Sequence, residues 1–376
     1  MNQISRSTQD KAVHGILPSQ SIVELIGARG IVGDTEIGDA QVQPASLDLR
    51  LGPIAHRVTA SFLPGPNASV EDKIGLYGQY KIDLTDGAVL ERGCVYIVPL
   101  LESLALPREI SGIANPKSST GRLDIFTRLI TDHSAEFDRI RGGYTGRLYA
   151  EIVPRTFSIR VRTGTRLSQL RLRRGESGHT DASLKRLHEK TPLALSNNGN
   201  AIIADGKLGV SIDLVGEAGT GLIGYKAKRD AGVIDYEQVG IYDPRDFWEP
   251  IYPRLAGGLV LNLDDFYILA SKEAIAVPPD HAAEMVAYDT LVGEFRVHYA
   301  GFFDPGFGYG AQGTGSRAVL EVRPHEVPFM VEDGQMVGRL NYEPLLAMPD
   351  RLYGQGLGSH YQKQGLRLSK HFKQPS

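Results

Sequence analysis

The chain of 376 residues contains one cysteine, Cys94. An intrachain disulfide is therefore excluded. The apolar run Cys94-Val95-Tyr96-Ile97-Val98 predicts a buried structural thiol rather than a nucleophile, since no activating neighbour is visible. The same scarcity excludes thiolate-bound zinc, and with it the zinc nucleobase deaminases, which use a His/Cys/Cys set. The histidines show no metal-binding spacing, so His133, His281, His298 and His325 read as structural or solvated. No apolar run is long enough to span a bilayer, and the stretch Met1 to Lys11 is polar rather than an export signal. The expectation is a cytoplasmic protein with no membrane partner. A formal net charge of -3 and the absence of a long basic run give no support for nucleic-acid binding. Neither a Gly-x-x-x-x-Gly-Lys-Ser/Thr loop nor a Gly-x-Gly-x-x-Gly turn after a strand is present, so the usual nucleotide-binding folds lack support.

What is present is a sequence that repeats itself at an offset of about 170 residues. Ser46-Leu47-Asp48-Leu49 returns as Ser211-Ile212-Asp213-Leu214, and Tyr96-Ile97 with Glu102 and Pro107 returns as Tyr267-Ile268 with Glu273 and Pro278. Gly164 to Leu170 is echoed by Gly334 to Leu340. Both halves read as short apolar or alternating segments broken by Gly and Pro, which predicts an all-β-dominated chain with few short helices. Two helices are expected, one starting with a capping box at Ser21 and Glu24, the other near Asp181 to Lys190. The polar string Ser196 to Asn200 places the domain boundary near residue 195, giving units 1–195 and 196–376.

Three features carry candidate chemistry, and each also has a plain structural explanation. Lys117-Ser118-Ser119-Thr120-Gly121-Arg122 gathers two cations and three hydroxyls in six residues, suited to phosphate oxygens but equally to a capped surface turn. It has no counterpart in the second half. Glu321 follows Ala318-Val319-Leu320 in a strand that reads as mostly buried, where a carboxylate needs a partner or a substrate. Desolvation there would raise its pKa toward that of a general base, whereas pairing with Arg317 or Arg323 would make it structural. Glu151 holds the corresponding place in the first half, so two candidates stand. Asp304-Pro305-Gly306 reads as a turn, and the stretch from Tyr353 to Lys370 interleaves aromatic, amide and basic groups in a way that suits a closing tail.

Taken together these motifs resemble the 2'-deoxycytidine 5'-triphosphate deaminases, homologues of the trimeric deoxyuridine triphosphatases. Members carry an Arg-Ser-Ser-x-x-Arg motif, an Asp-Pro-Gly turn, a Val-Leu-Glu strand, a Pro-Gly-Met-x-Ile-Gly strand and a Tyr/Gln-rich tail. The matching segments here are Lys117 to Arg122, Asp304 to Gly306, Val319 to Glu321, Asp333 to Gly338, and Tyr353 with His360 to Gln364 and Ser369-Lys370. The resemblance implies two tandem distorted β-barrel or jelly-roll domains. It also implies zinc-independent deamination of dCTP, with Glu321, Ser118 and Arg122 catalytic. Lys117, Ser119, Thr120, Gly121, Asp304, Val319, Leu320, Tyr353, His360 and Gln364 would hold the substrate. Mg²⁺ would travel with the triphosphate, dTTP would be a feedback inhibitor, and a homo-oligomer would be one way to assemble the site.

The departures are specific. Lys117 replaces the first Arg and loses its bidentate fork, His360 stands where a tail Lys is usual, and residues are inserted between Asp304 and Glu321. The duplication is itself a departure, because single-domain relatives build each site between subunits. The expected arrangement is a composite site, with the serine motif from the first half and the glutamate strand and tail from the second. A deoxyuridine triphosphate pyrophosphatase, a bifunctional enzyme and a non-catalytic nucleotide binder are the alternatives, although the pyrophosphatase motifs Arg-Ser-Gly and Asp-Tyr-x-Gly are absent.

Overall fold

The computed structural model describes residues 14–195, 201–253, 257–286, 301–309, 315–324, 327–354 and 365–374, and the backbone of 295–297. The chain is mostly antiparallel β with few helices. In the first half, one sheet runs in the order Gly15–Ile16, Ser168–Arg174, Ile110–Pro116, Arg139–Ile140. A second runs Gly78–Asp83, Ile54–Val58, Val95–Ala105, Thr145–Pro154, Ile125–Thr131. The second half repeats this plan with Ile203–Ala204, Lys207–Ser211, Met336–Pro344, His281–Val286 and Phe302–Phe303 in one sheet, and Trp248–Ile251, Gly224–Ala227, Tyr267–Ile275, Ser316–Pro324 and Phe295–Val297 in the other.

The repeat seen in sequence is a repeat in register. Glu151 lies opposite Ile97 in the antiparallel ladder. Glu321 lies opposite Ile268, the matching member of the second Tyr-Ile pair. The two glutamates are therefore equivalent in position, and what differs is what faces them.

Alternation along the strand Ser316–Pro324 sends Ala318, Leu320 and Val322 into the core of the second half. Its other face carries Val319, Glu321 and Arg323, and Val319 joins the core of the first half. That core also takes in Ala227, Ile234, Tyr236, Phe247, Trp248, Phe266, Leu368 and Phe372 from the second half. Phe157 meets Phe247 and Trp248 edge-on at centroid distances of 5.7 and 5.5 Å, a favoured aromatic geometry. The first half's core thus extends into the second half, which also keeps a core of its own. In the first half the equivalent outward face, represented by Tyr149, is instead covered by Val70 and Ile74 of the helix Val70–Tyr77.

Local expectations fare unevenly. The first helix spans Ser19–Gly27 with Pro18 at its N-cap position, so Ser21 lies inside the helix rather than capping it. Proline ahead of the first turn fixes the entry, since the missing N–H would have no helical partner there. The second helix spans Asp181–Lys190, capped by Thr180, and its Leu184 packs in the core of the second half together with Leu193 and Ala194. Cys94 is half-buried, not fully buried, and packs at the edge of the first core. No helix among the described residues is long and apolar enough to cross a membrane.

Candidate active site

The serine motif forms a single helical turn, Ser118–Gly121, directly after the strand Ile110–Pro116. Lys117 ends that strand: its N–H donates to the Leu167 carbonyl at 2.9 Å, while its own carbonyl accepts from the Thr120 and Gly121 N–H groups at 2.8 and 2.9 Å. The turn presents Arg122 across the interface between halves. Arg122 Nε lies 3.9 Å from Glu321 Oε1, and Arg122 Nη1 donates to the Arg367 carbonyl at 2.9 Å. Both side chains are buried. Burial pushes the Glu321 carboxyl up to about 7 against the opposing pull of Arg122. Neither Arg317 nor Arg323 is its partner, because Arg317 pairs with Asp213 and Arg323 with Asp124.

Glu151 is held quite differently. It is fully buried, and Arg128 grips its Oε1 through Nε at 3.0 Å and Nη2 at 2.5 Å. The same guanidinium stacks on Phe137 at 3.4 Å and Phe126 at 4.6 Å from the ring centroids. A carboxylate clamped in this way is an acceptor already in use.

Other expected site residues separate into groups. Lys117 Nζ contacts Asp48, whose carboxylate also lies 3.5 Å from Arg166. Ser119 and Thr120 are buried with their hydroxyls on Tyr236, Gly121 is buried, and Ser118 is half-exposed. Asp304 is buried 3.3 Å from Arg171, and burial with the nearby Asp48 charge raises its pKa. Tyr353 belongs to the Asp-Pro-Gly turn: its N–H donates to the Pro305 carbonyl at 2.9 Å and its ring lies 5.7 Å from Phe307. Gly306 has φ +93, where a Cβ would meet the Tyr353 nitrogen at 3.3 Å, so glycine is required by both conformation and space. Val319 faces the first half beside Glu321, whereas Leu320 points into the second core. His360 and Gln364 lie outside the described residues.

Several groups at this interface were not anticipated. Arg171 is fully buried and donates to the Ala283 carbonyl at 2.9 Å, with its guanidinium 3.9 Å from the Phe302 ring. Lys370 sits 5.5 Å over the Tyr236 ring, and burial, reinforced by the like charge of Lys117, lowers its pKa. Ser369 Oγ donates to the Ser119 carbonyl at 2.8 Å, which docks the end of the tail on the serine motif. Ser369-Lys370 is matched in the sequence only as part of the tail, without a role, and Arg171 carries no signal there. Among the described residues no group of three or more His, Cys, Asp or Glu is placed to hold a metal.

Comparison with known proteins identifies the family. Residues 13–176 match the family model described as the 2'-deoxycytidine 5'-triphosphate deaminase N-terminal domain, and residues 180–372 match that of its C-terminal domain. The chain belongs to the dCTP deaminase family. It is 54% identical to a dCTP deaminase from Agrobacterium tumefaciens of known crystal structure, with a TM-score of 0.83 over 89% of this chain and 100% of that one. It is also similar to a "dCTP deaminase, dUMP-forming" of Beutenbergia cavernae, 29% identical over 35% of this chain and 69% of the relative. A "Probable deoxyuridine 5'-triphosphate nucleotidohydrolase" of Halobacterium salinarum is 27% identical over 41% of this dCTP deaminase family chain and 88% of the relative.

Proposed function

We propose that the enzyme converts dCTP and water to dUTP and ammonia at a composite site, with Glu321 as the general base. The observation that carries this reading is the Glu321–Arg122 pair. It joins the glutamate strand of one half to the serine motif of the other inside a single chain, with the carboxyl tuned to about 7. Glu321 takes a proton from water as the oxygen attacks C4 of cytosine, and returns protons to the ring and to the departing amine. Arg122 and Ser118 orient the water and the tetrahedral centre. Lys117 and the tail bind the triphosphate. Mg²⁺ would enter with the triphosphate held by Lys117 and the tail, and would offset phosphate charge there. The helix Asp181–Lys190 falls before the boundary expected near residue 195, but its Leu184 packs in the second core, so we place it with the second unit; dTTP, which shares the sugar and triphosphate, is a competing ligand of the same pocket.

The direct test is incubation of the purified protein with dCTP and, separately, with dUTP, with and without Mg²⁺. Ammonia from dCTP, dUTP as the product and no pyrophosphate are the expected results. The dUMP-forming name of the Beutenbergia relative makes pyrophosphate release the second outcome to score. Formation of dUMP and ammonia from dCTP would replace the simple deaminase with a bifunctional enzyme, and dUMP from dUTP without ammonia from dCTP would make it a pyrophosphatase.

A pH prediction follows from Glu321. A base must be ionised, so kcat/KM for dCTP rises about tenfold per pH unit below pH 7 and levels off above it. Stability moves the other way. A carboxyl whose pKa is raised in the folded state is ionised more readily by the unfolded chain. Its contribution therefore becomes less favourable as pH climbs from the ordinary glutamate value of 4.5 to about 7. A pH–rate profile with no limb near 7 would remove Glu321 from the role of base.

A further inference from the structure

The three hydroxyls of the serine motif are not equivalent, and a residue of the second half separates them. Ile234–Asp235 adds in parallel to the first-half strand Ile159–Val161, pairing Ile159 with Ile234 and Arg160 with Asp235. Such strand addition holds a segment by main-chain bonds to a sheet edge. Arg162 Nη2 donates to Asp235 Oδ2 at 2.7 Å, and Thr165 Oγ1 donates to Glu237 Oε1 at 2.6 Å. Between these two ties sits Tyr236. Its N–H donates to the Arg160 carbonyl at 3.0 Å, and its carbonyl accepts from His371 Nε2 at 2.9 Å. The buried Tyr236 ring, 4.8 Å from that of His371, is thus fixed by the first half and the tail together.

The phenol oxygen of Tyr236 lies 2.9 Å from Ser119 Oγ and 2.6 Å from Thr120 Oγ1. Thr120 Oγ1 donates to the Leu167 carbonyl at 2.8 Å. A hydroxyl has a single proton, so Thr120 must accept from Tyr236, and Tyr236 must accept from Ser119. The order Ser119, Tyr236, Thr120, Leu167 is forced by counting protons. Ser119 then has no proton to offer a phosphate oxygen, and both Ser119 and Thr120 are buried, whereas Ser118 is half-exposed.

We propose that Tyr236 is a positioning residue for the deamination: it orients the Ser118–Gly121 turn from the second half, makes Ser119 and Thr120 internal struts, and leaves Ser118 as the working hydroxyl. This rests on the deaminase reading above. Tyr236→Phe removes the phenol hydroxyl and keeps the ring. In the full chain it is expected to lower kcat for dCTP about tenfold, the scale of one or two lost hydrogen bonds, with KM moving far less. Ser119→Ala should cause a similar fall, and the double variant no further one, because both changes break one link. Amide exchange adds a readout that needs no turnover. The peptide 117–124 should exchange about tenfold faster in Tyr236→Phe, while the strand Thr145–Pro154 is unchanged. Wild-type kcat together with unchanged exchange overturns the proposal, as does uniformly faster exchange across the first half, which marks a general loss of stability. If the wild-type chain releases no ammonia from dCTP, the deaminase reading fails, and the exchange result still decides whether Tyr236 holds the turn.

Discussion

Glu321→Gln is expected to release ammonia from dCTP about 10²–10⁴ times more slowly than the wild-type enzyme, the usual loss when a general base is removed. The amide keeps the size of the side chain beside Arg122, but it cannot take a proton from water. Calorimetric binding of dCTP should survive, which separates loss of chemistry from loss of the site. Glu151→Gln is the matched control, since Glu151 stands in the same register against Ile97 as Glu321 does against Ile268. It should retain most of its turnover, because Glu151 is clamped by Arg128 and its strand face is covered by the first half's own helix Val70–Tyr77. Its cost falls on stability. Arg128 keeps Ser61 and two aromatic rings but loses its counter-charge, worth about 1–3 kcal/mol and read as a lower urea midpoint. An inactive Glu151→Gln beside an active Glu321→Gln would reverse the assignment.

The contrast between the glutamates also shows what a sequence can carry. Their equivalence is legible because strand registers follow short local patterns, and Tyr-Ile opposite Glu recurs in both halves. The Lys117–Arg122 turn and the Glu321 strand are legible for a similar reason, since each is a compact motif of unusual residue types. What faces each motif is a long-range matter. Arg122 meets Glu321 across 199 positions, and Asp304 meets Arg171 across 133, with nothing local to announce either pairing. Tyr236 sits in Val233-Ile234-Asp235-Tyr236-Glu237, which reads as an ordinary strand end, and its reach to Ser119 depends on strand addition to the other half. The deviations near Ser21 and Cys94 have a different cause: a competing cap at Pro18 in one case, and an edge position on the first core in the other.

Asp124 and Arg323 offer the second large effect. They lie two residues beyond Arg122 and Glu321 on the same facing elements and form a second cross-half ion pair, exposed by only 1% and 4%. Thr156 Oγ1 donates to Asp124 Oδ2 at 2.5 Å and accepts from Arg323 Nη2 at 2.9 Å, while Arg323 Nη1 donates to the Asp264 carbonyl at 2.6 Å. Removing one partner strands the other charge in a buried site. Asp124→Leu is therefore expected to destabilise the fold by about 3–5 kcal/mol, measured by urea denaturation. Adding Arg323→Met should recover most of that loss, since a buried ion pair is often no more stabilising than an apolar pair of similar volume. Turnover need not recover with it. Two oppositely oriented pairs, Arg122 with Glu321 and Asp124 with Arg323, admit one register of the strand Ser316–Pro324 against the first half, because a slip would set like charges together. If that registration is the function of the second pair, the double variant is stable yet slow with dCTP. A double variant as fast as wild type would reduce Asp124 and Arg323 to a buried contact that the site does not need.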